Sequence, residues 1–215
     1  MLGAETNDDL DALAQKMSPL LTQHANDMQL NEKLFKRIKH VYEHHRELTP
    51  EEATLLQKVY DGFVRSGALL NEEGKEQFRR LSEEASLLSL QFSQNLLKEN
   101  KAFELHLTNE EDLDGLPESA RQMAAHTAQE QNKEGWIFTL DFPSYSTKRE
   151  LREKLYMAKN TEGIHDNPEN NLAICTRLIN IRRELAQLLG HDTYADYVLE
   201  HRMASSVKNV YKLFN

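Results

Sequence analysis

NEEGKEQFRRLSEEASLLSLQFSQNLL, Asn71 to Leu97, is the stretch that decides the fold. Phe78, Leu81, Ala85, Leu88, Phe92 and Leu96 step along it by three and four. That period matches the turn of an α-helix and turns one apolar stripe toward a core, as in a bundle or coiled-coil seam. Asn71 suits the N-cap, where a short side chain accepts from an unpaired amide. Ser82, Ser86, Ser89 and Ser93 form a second stripe beside the first. Small residues there let another helix approach closely. A solvated polar face fits them equally well.

Toward the N-terminus, Asn7, Asp8 and Asp9 suit a helix start, where acids meet the positive end of the dipole. Leu10, Leu13 and Met17 follow on one face. Ser18-Pro19 reads as the cap and first position of a new helix. Leu34, Phe35, Ile38, Val41 and Tyr42 mark the next. Thr49-Pro50-Glu51-Glu52 is a capping box with proline in the first turn. It opens a helix with Leu56, Val59, Tyr60, Phe63 and Val64 inward, stopping near Gly67.

Beyond the decisive helix the period changes. Phe103, Leu105 and Leu107 alternate with Glu104, His106 and Thr108. Trp136, Phe138, Leu140 and Phe142 alternate too, until Pro143. Leu116-Pro117 starts an intervening helix that runs to about Gln131. Helix returns after Lys148 with Leu151, Leu155 and Ala158. Asp166-Asn167-Pro168 starts another, with Ile174, Leu178, Ile181, Leu185 and Leu188 inward and Gly190 as its C-cap. Thr193 to Met203 and a stretch from Ser205 or Ser206 complete the pattern. The fold class is therefore mainly α. A multi-helix, bundle-like single domain is expected over 1–215, with 103–108 and 136–142 able to form a small antiparallel β pair.

Composition narrows the function. Lysine and arginine number 26 against 35 aspartates and glutamates, a net charge of −9. A generic nucleic-acid binder needs a basic face, so no nucleic-acid partner is expected. Cys175 is the one cysteine, which excludes an internal disulfide and a cysteine-rich metal site. No apolar run approaches the roughly 20 residues of a membrane span, and MLGAETNDDL lacks the pattern of a leader. No membrane partner and a cytoplasmic location are expected.

The sharpest local motif is His40-Val41-Tyr42-Glu43-His44, an H-x-x-E-H pattern in which two histidines can bind zinc and the glutamate act as base. Helical geometry argues against it. The apolar residues of this helix share one face, and His40, Glu43 and His44 fall on the other. A catalytic zinc also needs a third protein ligand. The remaining histidines are scattered. Cys175 reads as an ordinary helical cysteine, and Arg182-Arg183 as a salt-bridged surface rather than an anion site. No Gly-rich phosphate loop and no G-x-S-x-G are present. Spacing alone shows no active site.

Several stretches carry a family pattern. They include LNEKLFKRIKHVYE (Leu30 to Glu43), Val64 to Leu97, DLDGLPESARQMAA (Asp112 to Ala125) and FTLDFPSY (Phe138 to Tyr145). RELREKLYMA (Arg149 to Ala158) and LINIRRELAQLLGHDTYADYVLEHRMA (Leu178 to Ala204) complete the set. Together they resemble the N-terminal helical region of the thimet oligopeptidase, neurolysin and peptidyl-dipeptidase family of zinc metallopeptidases. The pattern leans to the bacterial peptidyl-dipeptidase or oligopeptidase A branch. Between Tyr145 and Arg149 the chain is shorter than that pattern.

The resemblance implies hydrolysis of short peptides by one zinc, held by H-E-x-x-H and a later glutamate. Those residues fall outside the matched region. No position of 1–215 is therefore assigned as catalytic or as a metal ligand, and substrate-binding positions stay open. What the resemblance gives this region is architecture, helices walling a deep channel that admits oligopeptides. The apolar face of Val207, Val210, Tyr211 and Phe214 is still running at Asn215, without stop signals. The expectation is a piece of a longer metallopeptidase, inactive alone and binding no zinc, with a tendency to self-associate. The alternative is a non-enzymatic helical scaffold or interaction domain. A third reading is metal binding through His40 and His44.

Overall fold

The computed structural model describes residues 7–140 and 148–214. Among them lie nine α-helices and one two-stranded sheet. The residues form two compact units, Gln91–Ala173 and Asp8–Leu90 with Ile174–Asn215. Helix α4, Glu72–Ala102, is the decisive stretch read above. Its residues up to Leu90 fall in the second unit and the rest in the first.

In the unit of Gln91–Ala173, α4 runs into strand β1, Leu105–Leu107, then a 3-10 turn at Glu110–Leu113, α5 (Glu118–Glu130) and strand β2, Trp136–Phe138. β1 and β2 pair antiparallel, Leu105 opposite Phe138 and Leu107 opposite Trp136. The alternation seen in the sequence thus becomes an antiparallel pair joined through α5, shorter than 103–108 and 136–142. Asp141 and Phe142 lie outside the described residues, as do Pro143 and most of the FTLDFPSY match. Leu107, Leu113, Leu116, Ala124, Phe138 and Leu151 form the core, with Leu105 and Trp136 packed against it. Helix α6, Arg149–Asn160, adds Leu151 and Leu155 as its buried residues.

The other unit begins with α1, Asp8–Gln29. The sequence pattern suggests a new helix at Ser18-Pro19, but α1 runs through Pro19 without a break. An internal proline costs a helix about 3 kcal/mol. Here the same face makes contacts on both sides of it. Asp11, Ala14 and Asn26 are buried. The Ser18 and Ser86 hydroxyls share a 2.8 Å hydrogen bond, Thr22 donates to Ser86 at 2.9 Å, and Asn26 donates to Ser82 at 2.9 Å. Ser82 and Ser86 of the serine stripe are thus a helix contact. Ser89 is exposed and donates back to the Ala85 carbonyl. Leu10, Leu13 and Met17, which share one face of α1, are left exposed.

Helices α2, Glu32–His44, and α3, Pro50–Arg65, follow. Asn31 caps α2, and Thr49 with Glu52 forms the expected capping box of α3. The Tyr42 and Tyr60 rings stack at 4.0 Å and Phe35 stacks on Tyr60 and Phe63. Of the α3 residues read as inward, Leu56, Tyr60, Phe63 and Val64 are half-buried, while Val59 is exposed, so the inward face is covered only in part. In the long helix, Leu81 is the seam residue that reaches full burial.

Helix α7 spans Leu172–Leu188, not from Asp166 as its sequence suggested. Residues 166–171 are a turn, because the Asn167 and Asn170 side chains accept the Glu169 and Leu172 amides and compete with helix. Ile174, Leu178 and Ile181 are buried as expected. Gly190 takes φ +86°, as the expected C-cap requires. α8 ends at Leu199 rather than Met203, and Ser205 at φ 57° breaks the helical path before α9, Val207–Phe214.

Candidate functional site

The H-x-x-E-H histidines were tested first. His40 and His44 are both exposed on α2, and their rings stack with centroids 4.6 Å apart. His44 Nδ1 lies 3.0 Å from the His40 carbonyl, and Glu43 pairs with Lys39 at 3.7 Å. Stacked faces do not converge nitrogen lone pairs on one point, as a tetrahedral zinc demands. Among the described residues no group of three His, Cys, Asp or Glu is placed to hold a metal ion. The residues present therefore do not fit a catalytic zinc.

A second cluster joins α3 and α8. The Arg65 guanidinium donates to Glu200 at 2.5 Å and to the Tyr197 carbonyl at 2.8 Å, and lies 4.2 Å above the Tyr197 ring. His191 and His201 approach the same Glu200 oxygen at 4.0 and 3.8 Å. That oxygen already accepts from Arg65, so the cluster reads as a tie between elements. Arg182, read with Arg183 as a salt-bridged surface, lies 5.6 Å over the Tyr194 ring. Cys175 is half-buried in α7.

The best-formed site lies in the unit of Gln91–Ala173. The end of α4, Leu140 beyond β2, α6 and the α6–α7 connection line an open cavity of about 650 Å³. Its polar wall is built around Glu99. Only 8% of that side chain is exposed. Glu99 Oε1 accepts from His165 Nδ1 at 2.9 Å and Asn167 Nδ2 at 2.6 Å, and Oε2 accepts the Gly163 amide. Burial raises the Glu99 carboxyl, but the bonds from Gly163, Asn167 and His165 outweigh it and hold the group below its ordinary value. His165 Nε2 lies 3.0 Å from Thr161 Oγ1. Beside it, Glu162 accepts from Asn100 and Lys159, each at 3.0 Å. Asn171 fixes the far end of the connection, accepting from Asn95 at 2.9 Å and donating to the Phe92 carbonyl at 3.1 Å.

Sequence reasoning missed Glu99. It sits 66 residues from His165, and nothing in its neighbourhood distinguishes it from other glutamates of a solvated helix. The one local signal beside His165 was Asp166-Asn167-Pro168, which read as a helix start.

Comparison with known proteins shows where the chain belongs. The model of peptidase family M3 matches residues 142–215. The chain is 33% identical to the dipeptidyl carboxypeptidase of Escherichia coli strain K12, over 96% of its own length and 32% of that protein. The chain belongs to peptidase family M3. The oligopeptidase A of Haemophilus influenzae is a further M3-type relative, 35% identical over 69% of this chain and 23% of that protein. The organellar oligopeptidase A of Arabidopsis thaliana is 34% identical over 66% and 20%. The M3 chain thus spans about a third of the dipeptidyl carboxypeptidase and less of the oligopeptidases. Its family match takes in α6 to α9, while Glu99 and the H-x-x-E-H histidines precede it. No helix among the described residues is long and apolar enough to cross a membrane.

Proposed function

We propose that this chain forms a helical wall of a zinc metallopeptidase that hydrolyses short peptides, as a peptidyl-dipeptidase or oligopeptidase. The observation that carries the reading is the extent of the likeness. It runs along 96% of the chain to a protein named for releasing dipeptides, and the same chain matches proteins named as oligopeptidases. A helical scaffold that had only converged on the same architecture would not keep 33% identity throughout.

In this reading the chemistry belongs to the two thirds of the relatives that the chain does not span. Zinc supplies a Lewis acid and a bound water of lowered pKa when present. The residues here contribute rigid helices. The α1–α4 seam, the Arg65–Glu200 tie and the Glu99-anchored connection hold them in place. Such a wall shapes access and positions substrate, and it transfers no proton.

The test is direct. The coding sequence around these 215 codons is read, and the protein it encodes is assayed on short peptides with free and with blocked C-termini. The expected result is an H-E-x-x-H with a later glutamate, and cleavage that a chelator abolishes. An uninterrupted frame without those residues would overturn the peptidase reading and leave a scaffold or interaction domain. Free against blocked C-termini separates dipeptide release from internal cleavage.

A further inference from the structure

From the cavity beside Glu99 we infer a binding site for an organic cation with an apolar body, an amine or guanidinium carried on hydrocarbon. The walls are apolar, contributed by Phe103, Leu140, Met157, Ala158 and Ile164. About 650 Å³ is in the size range of small-molecule sites and holds a ligand of one or two residues.

The charge of the rim selects the ligand. Glu99 is almost fully covered, yet its three partners are a backbone amide, a carboxamide and an imidazole. Among the described residues no lysine or arginine pairs with it. Hydrogen bonds rather than a permanent counter-cation hold this carboxylate in its charged form, so its negative charge is not cancelled at the cavity wall. Glu162, on the same rim, shares its charge with Lys159. Two carboxylates and one lysine leave the cavity mouth negative, and apolar walls concentrate that field.

Hydrogen-bond capacity points the same way. A carboxylate offers about four acceptor positions, and three are used here. Both side-chain donors fall on Oε1, so among the described residues Oε2 accepts from the Gly163 amide alone. A charged N–H on the ligand supplies the fourth bond while its hydrocarbon covers Met157, Ala158 and Ile164. An anion meets the carboxylates instead, and an uncharged apolar molecule leaves that position empty. Holding the α6–α7 connection explains the three bonds to Glu99 but neither the cavity nor the missing cation.

The probe is leucinamide, which carries a free amine and an isobutyl group and no carboxylate. It is titrated into the chain by NMR, beside N-acetyl-leucinamide. Saturable binding on the order of 1 mM is expected, as a ligand of this size allows. Acetylation should weaken it at least about tenfold, as one lost charged contact does. Glu99→Gln should weaken it by a similar factor. Ala158→Phe fills the cavity from α6 and should abolish binding while the helical circular dichroism is unchanged. Equal binding of the acetylated probe, undiminished binding to Ala158→Phe, or no saturable binding of leucinamide would each overturn the proposal. Because binding is read on this chain without turnover, the result is independent of the peptidase reading.

Discussion

Asn26 of α1 donates from Nδ2 to Ser82 Oγ of α4 across 2.9 Å, so two helices of this protein meet through carboxamide and hydroxyl rather than through leucine. Ser86 continues the contact, taking bonds with Ser18 and Thr22. Small side chains let the backbones approach, and the hydroxyls satisfy one another. Ser86→Leu should therefore destabilise the fold by about 1–3 kcal/mol through overpacking. Ser86→Ala should cost about 1 kcal/mol from the lost hydrogen bonds. Urea unfolding measures both, and a neutral Ser86→Leu would show that the helices do not press together there.

Asn171 is 3% exposed and is committed to Asn95 and the Phe92 carbonyl. Its removal strands a buried carboxamide and a carbonyl. Asn171→Ala should cost about 2–3 kcal/mol, and Asn95→Ala alone about as much, because buried partners are left without bonds. The double variant should cost less than the sum of the two, since both lose one shared bond. Strict additivity in a double-mutant cycle would contradict the contact.

Glu99 gives an acid dependence whose sign is fixed. Its folded value lies below the ordinary 4.5, so the unfolded chain binds its proton first as pH falls. The stabilisation is complete above the ordinary value and is lost as pH drops through the folded one. Glu99→Gln should therefore lose stability at about pH 6, and its difference from the parent should shrink progressively as pH falls below 4.5. An unchanged difference across that range would mean that the carboxylate charge contributes nothing.

Gly135 precedes β2 at φ +91°, and a Cβ there would lie 2.3 Å from the Leu107 carbonyl oxygen. The contact is with backbone and cannot swing aside. Gly135→Ala should cost about 3 kcal/mol from the positive φ and the displaced strand. Thermal denaturation followed by circular dichroism tests it, and a melting temperature within one degree or so of the parent would refute the geometry.

Leu10, Leu13, Leu20 and Leu21 leave an exposed apolar stripe on α1, and Tyr211, Leu213 and Phe214 leave another on α9. Stripes of this kind promote association. Sedimentation of the chain should show mass rising with concentration, and Leu13→Glu with Leu20→Glu should reduce it. A concentration-independent monomer in the parent would rule the association out.

Much of the fold was legible because local signals and packing agree. The Thr49 capping box and the Gly190 stop follow from short-range chemistry that survives folding unchanged, and the alternation within each segment marked the two strands that pair, though not their register. Pro19 and Ser82 were not legible, because whether a proline is tolerated or a serine stripe is covered depends on a partner 56 to 68 residues away. The same distance hid Glu99. Its partners Gly163, His165 and Asn167 sit on a turn whose asparagines read equally well as helix caps until α4 lies against them.

Trp136 is the one tryptophan of the chain, and it sits on β2 against the core of the Gln91–Ala173 unit. Selectively excited indole emission therefore follows the environment of that unit alone. Helical ellipticity draws on both units, including α1, α2 and α3, which lie wholly in the other. A denaturation followed by both signals separates the two: coincident curves mark one cooperative transition, and displaced curves give each unit its own midpoint.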